Sequence, residues 1–322
     1  MSAGLIHGLL LDGHGGAKRL NWTEVKAWNQ SKGELWVHLD YSVYEVKEWL
    51  FHDSNLDIAV AETLLSNESR PRFSLFDAGV LMAWRGVNLN PTADPEDMVA
   101  IRLWQENGRV ISTLKRDLMA VNEVVHLLEK GRGPKTVGEL LIEIADRMVW
   151  KIGDVVNDFD ESMSELEGKV IDEGRMALRL ELSSIRRQVI YLRRYIGPQK
   201  EALMRFSIEK IEWLTQNDRI LLREVVDRIT RTLEELEMLR ERAAVAQEEL
   251  QNRISEELNN RMYVLSVITA IFLPLGFLTG LLGINVGGIP GSENPEAFRY
   301  FVIGLVVLIV TQLVIFKWRK WF

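Results

Sequence analysis

The residues of this chain that could do chemistry on an ion are few, mostly uncharged and spaced at helical intervals. Counting back from Gly283 in steps of three and four gives Gly280, Gly276, Leu273, Thr269, Leu265 and Met262. They share one face of a helix, a small or mildly polar face, while Ile271, Phe272, Phe277 and Leu278 point elsewhere. Small residues at this spacing let helix backbones approach closely, and the same face could line a narrow axial path. The run closes in Gly283, Ile284 and Asn285. As a tripeptide this reads as a helix C-terminus with an Asn-led turn. A ring of Asn285 amide oxygens at the mouth of a symmetric bundle would instead present dipoles without net charge. Such a ring could hold a hydrated divalent cation through its waters.

Below Met262 the same register continues through Leu258, Ser255, Gln251, Glu248, Ala244, Glu241 and Glu237. Three carboxylates per chain on that line would concentrate cations if several chains surrounded an axis, and otherwise they form a solvated helix face. Glu293 and Glu296 could attract cations from the loop beyond the helix. The acidic run at 158–167, with Asp158, Asp160 and Glu161, reads either as a regulatory cation site or as a solvated face. There is no Cys, and the five His residues (7, 14, 38, 52 and 126) share no short ligand spacing, so a tight zinc centre is not expected. No Gly-rich phosphate loop, HExxH or nucleophile elbow is present, which points away from an enzyme and from a bound cofactor. A net charge of -7 argues against nucleic acid as a partner.

The elements that must position these residues follow from where charge is missing. Met262–Ser292 and Tyr300–Phe316 contain no charged side chain. Two spanning helices, over 262–282 and 300–316, fit a hydrocarbon core of roughly 30 Å. The tail 317–322, KWRKWF, is basic with interfacial Trp, whereas the loop 283–299 carries Glu293, Glu296 and only Arg299. Positive-inside logic therefore places both termini in the cytosol and the loop outside. The N-terminal MSAGLIHGLLLDGHGG lacks a basic n-region and is not expected to be a signal peptide. Pro274 lies inside the first span, where it frees the carbonyl near Ala270 and acts either as a packing irregularity or as a hinge.

Residues 1–116 alternate strand and helix signals, with Asn107-Gly108 as a hairpin turn, and predict an α/β domain. Residues 117–217 predict helices: one ending near Gly131, one opened by a capping box at Thr136–Glu139 and running to about Gly174, and one ending before Pro198. Between Lys200 and Leu273 there is neither Gly nor Pro, so the stalk at 218–261 is expected to run into the first span as one helix roughly 100 Å long. A stalk of that length needs neighbours to bury its apolar stripe, and two spans are too few to enclose a water-filled path. Both points imply self-association.

VLSVITAIFLPLGFLTGLLGIN, a short loop, a second span and a basic Trp-containing tail together resemble the CorA family of divalent-cation transporters across essentially the whole chain. The resemblance implies an α/β cytosolic domain, a long stalk entering the first span, a funnel-shaped homopentamer and a Gly-Met-Asn signature at the mouth. Here Ile284 replaces Met and Leu282 stands where an aromatic commonly precedes, while Gly283 and Asn285 are kept. FLPLGFLTGLLGINVGGIPG, with ADPEDMVAIRLW and RRYIGPQ, is similar to the ZntB branch, whose members transport zinc. That implies Zn2+ as the transported ion, with magnesium or a broader divalent range as the alternative, in a bacterial inner membrane. A membrane-anchored scaffold or sensor is the more remote reading.

Overall fold

Alternating apolar residues in the first third of the chain build one seven-stranded sheet. In the computed structural model, which describes residues 4–67, 70–173, 176–284, 289, 291 and 293–319, the strands are β1 (Leu5–Leu11), β2 (Ala17–Arg19), β3 (Leu35–Asp40), β4 (Arg72–Leu75), β5 (Val80–Gly86), β6 (Val99–Glu106) and β7 (Arg109–Leu114). Their order across the sheet is β2-β1-β3-β7-β6-β5-β4. All neighbours are antiparallel except β3 and β7. The β6–β7 hairpin turns at Asn107 (φ 47°) and Gly108 (φ 75°), the left-handed conformation that this dipeptide tolerates.

Three short helices, α1 (Trp22–Lys26), α2 (Tyr44–Glu48) and α3 (Ile58–Leu65), connect the early strands. Val46, Val60, Ala61 and Leu64 pack with Leu35, Val37, Leu39, Leu81, Trp104 and Ile111 as the core on one face. The other face is covered by α4 (Met119–Glu129), α5 (Val137–Glu173) and α6 (Met176–Ile208). Leu118, just before α4, and Met148 of α5 stand over Gly86, and Phe206 of α6 meets Phe73 and Trp84 at 5.5 and 6.3 Å between ring centroids.

Two helix ends depart from expectation. The Thr136 hydroxyl does accept from Glu139 N (3.2 Å), but the Glu139 carboxylate reaches Lys135 N (2.7 Å), one residue before the position a reciprocal box would use. Helix α6 does not stop before Pro198; it passes through it to Ile208. Proline removes one ladder bond, yet Ala202, Leu203 and Phe206 beyond it are buried, and Gln199 accepts from Arg85 N of β5 (2.6 Å). Burial of that turn against the sheet outweighs the lost bond.

The segments expected as stalk and first span form one helix, α7 (Gln216–Leu282), opened by Thr215 and Asp218, each of which caps the other's backbone N–H. Leu222, Val225, Ile229, Thr232, Leu236, Leu239, Ala243, Ala246 and Leu250 are buried along it, a strict 3-4 alternation. Arg228 pairs with Asp146 and Arg242 with Asp160 and Glu167 of α5, while Gln247 bonds Ser183 and Arg186 of α6. The segment expected as the second span lies in α8 (Ala297–Trp318). The chain divides into two compact units, Met1–Glu248 and Glu249–Phe322, so the break falls within α7.

Candidate functional site

Within the second unit, α7 and α8 each carry a stretch long and apolar enough to cross a membrane. Their large apolar side chains are bare in the single chain: Phe272 and Phe277 are each 65% exposed and Phe298 is 77% exposed. Side chains this apolar stay uncovered only in lipid or against another subunit. The small-residue face is equally open. A Cβ added at Gly276 or Gly280 would meet nothing within 4 Å among the described residues, so this face is not the surface on which α8 packs. Met262, Leu265 and Leu273 of the same face are also exposed.

The hydroxyls of the first span donate to carbonyls of their own helix. Ser266 Oγ donates to Met262 O (2.7 Å), Thr269 Oγ1 to Leu265 O (2.8 Å) and Thr279 Oγ1 to Leu275 O (2.8 Å). Each hydroxyl proton is thus occupied, and the oxygen lone pairs remain available to water or a cation. Thr279 flanks the glycine face and was not singled out by the three-and-four count.

At the end of α7, Gly283 N donates to Thr279 O (2.9 Å), and a Cβ at 283 would fall 2.8 Å from that same oxygen. The first residue of the Gly-Ile-Asn triplet is therefore required by the closing turn itself. Ile284 is half exposed. Asn285 lies outside the described residues. In the loop, Glu293 is exposed, and Glu296 precedes α8, with Arg299 within 3.5 Å of its carboxylate.

Of the stalk carboxylates, Glu237 accepts from Arg193 Nε (3.1 Å) and Nη2 (2.7 Å). Glu237 and Glu241 line an open groove of about 970 Å³ together with Arg186, Arg193, Arg194 and Arg240. The wall there carries both signs of charge. Glu248 is exposed, and all three lie away from the buried stripe of α7. Of the acidic run at 158–167, Asp160 and Glu167 are held by Arg242, and Asp158 and Glu161 are exposed. That run binds helix to helix. Among the described residues no group of three His, Asp or Glu could hold a metal ion.

One polar contact in the second unit was not foreseen. Gln312 of α8 donates from Nε2 to Ala270 O of α7 (3.2 Å), the carbonyl that Pro274 leaves without its ladder partner. A signal existed in the sequence, since Gln312 is the one amide side chain in the charge-free run Tyr300–Phe316.

Comparison with known proteins bears on all of these elements together. A family model described as CorA-like Mg2+ transporter protein matches residues 31–320. The chain is 38% identical over 320 residues to the divalent cation transporter CmaX of Pseudomonas aeruginosa, covering 98% of this chain and 94% of that one. It is 34% identical over 319 residues to the zinc transport protein ZntB of Pectobacterium atrosepticum, covering 99% and 96%. A solved structure of the full-length CmaX protein superposes with a TM-score of 0.87 at 35% identity, covering 100% of this chain and 99% of that one.

Proposed function

The chain belongs to the CorA-like family of transporter proteins, and from that premise we propose that it moves divalent cations across a membrane, with zinc as its principal cargo. The observation that carries this is the match to a divalent cation transporter along 98% of the chain, which takes in the sheet, the stalk and both spans. Zinc is favoured over magnesium by the relatives of similar identity described as zinc transport proteins. The broader divalent range of the CmaX name is the second reading.

In this proposal several copies, five by the family resemblance, surround an axis in the bacterial inner membrane. The face Met262, Leu265, Thr269, Leu273, Gly276 and Gly280 lines the path, and Gly283, Ile284 and Asn285 form its outer mouth. Both termini lie in the cytosol and the loop 283–299 lies outside. The open glycine face and the bare apolar side chains of both spans support assembly of this kind. An amide ring suits a cation that keeps part of its water, because it offers dipoles strong enough to admit the ion and weak enough to release it. Glu293, Glu296, Glu241 and Glu248 add negative potential at the two ends of the path, and Glu237 shares its charge with Arg193.

Purified protein in proteoliposomes, loaded with zinc-sensitive and magnesium-sensitive dyes in parallel, tests the reading. Zinc entry that falls at least tenfold in Asn285→Ala, with the oligomer intact, is the expected result. Magnesium entry alone would replace the cargo, and entry of neither ion into vesicles holding a well-folded oligomer would overturn the proposal.

A further inference from the structure

A proline inside a spanning helix leaves the carbonyl four residues earlier without a donor, and in hydrocarbon no water replaces it. For Pro274 that carbonyl is Ala270 O. Gln312 is placed to fill the vacancy: its Nε2 lies 3.2 Å from Ala270 O, across 42 residues of sequence. Because Ala270 O can only accept, the amide must present its nitrogen there, which fixes the orientation of Gln312 and leaves Oε1 facing away. Oε1 is itself buried and has no partner among the described residues.

We infer that Gln312 is a positioning residue for transport: it is a latch from the second span onto the proline turn of the first, and it sets the angle at which the conducting half of α7 is held. At about 100° per residue, Ala270 and Pro274 lie roughly a third to nearly half a turn around the helix from Gly276. The opened side of the turn therefore faces α8, and the glycine face points away from it. Flexing at this turn carries Gly276, Gly280 and Gly283 with it, since all three follow the proline. The latch limits that flexing. A hydroxyl would not serve, because the serine and threonine hydroxyls of the spans, on Ser266, Thr269, Thr279 and Thr311, all spend their protons within their own helix. Gln has the length and the second donor to cross between helices.

This inference rests on the transport reading, and its test is a double-mutant cycle in proteoliposomes with zinc as the probe. Pro274→Ala restores the N–H that Ala270 O lacks, so the latch loses its purpose in that background. Gln312→Leu alone is expected to change maximal flux about three- to tenfold, the range for one interhelical hydrogen bond in a membrane. The half-saturating zinc concentration should stay unchanged. In Pro274→Ala the further change Gln312→Leu should alter flux less than twofold. Equal effects of Gln312→Leu in both backgrounds, or none in either, would overturn the latch, as would a shift in half-saturation alone. Melting temperatures of the four oligomers in detergent are measured alongside. If the wild-type protein passes no ion, the transport reading fails, and coupled melting temperatures then support the contact while additive ones overturn it.

Discussion

At the residue scale, the group whose chemistry the fold alters most is His38. It is buried on β3, with Nδ1 2.6 Å from Ser112 Oγ and its ring stacked on His7 at 5.9 Å. Trp36 Nε1 donates to the same hydroxyl (2.7 Å), so the serine proton is free to point at Nδ1 of a neutral imidazole. Burial, with the positive charge of His7 as a lesser cause, pushes the His38 pKa from 6.5 down to about 3. The unfolded chain therefore binds a proton that the folded chain refuses between about pH 6.5 and 3. Stability from this residue is full above 6.5 and falls as pH drops through that window, by at most about 5 kcal/mol at its lower end. His7 adds to the same trend, since burial and then Arg19 lower its pKa too. Thermal unfolding of the full chain at pH 7, 5 and 4 should show a steeper fall for wild type than for His38→Gln, and parallel curves would sink the assignment. Gly283 makes a different demand, because a methyl group there would meet the Thr279 carbonyl. Gly283→Ala is expected to lower zinc flux severalfold by displacing the turn that leads to Asn285.

At the element scale, α7 presents two faces with opposite sensitivities. Leu236 is fully buried in the 3-4 stripe, so Leu236→Ala should destabilise the protein by about 2–5 kcal/mol, measured by denaturant unfolding. Glu241 is exposed on the far side, and Glu241→Gln should change stability by less than about 0.5 kcal/mol. Under the transport proposal Glu241→Gln should instead lower flux at low ionic strength, a loss expected to fade above about 0.15 M salt, where charges more than about 8 Å apart are screened. Elements such as this one were legible because their cause is local. The 3-4 pattern, the Asn107-Gly108 turn and the unbroken run from Lys200 to Leu273 each lie within a few residues of the structure they dictate. What escaped is set at a distance. Helix α6 crosses Pro198 because Phe206 finds Phe73 and Trp84, and β3 pairs parallel with β7 some 70 residues later in the chain. The Ala270 carbonyl that Pro274 frees could be read from sequence as unsatisfied, but its donor on α8 could not, since nothing local marks which face of that helix turns toward it.

At the scale of the whole molecule, the open question is what covers the glycine face. Among the described residues nothing lies near a would-be Cβ at Gly276 or Gly280, while α8 engages α7 through Ala270 on another side of the helix. Two arrangements can occupy that face in an oligomer. If neighbouring helices pack on it, a leucine at 280 forces backbones apart and the assembly dissociates or changes size. If it borders the ion path, the same leucine leaves the contacts between subunits in place and fills the path instead. The wide apolar surface elsewhere on both spans, including Phe272, Phe277 and Phe298, provides contact area for assembly without the glycines. Gly280→Leu is therefore expected to keep the wild-type oligomer mass by light scattering in detergent and to lower zinc flux at least tenfold. Loss of the oligomer would assign the glycines to packing and move the path to another face of α7. Retained mass with retained flux would show that residue 280 borders neither, and the conducting face would then have to be sought among the residues around Thr279.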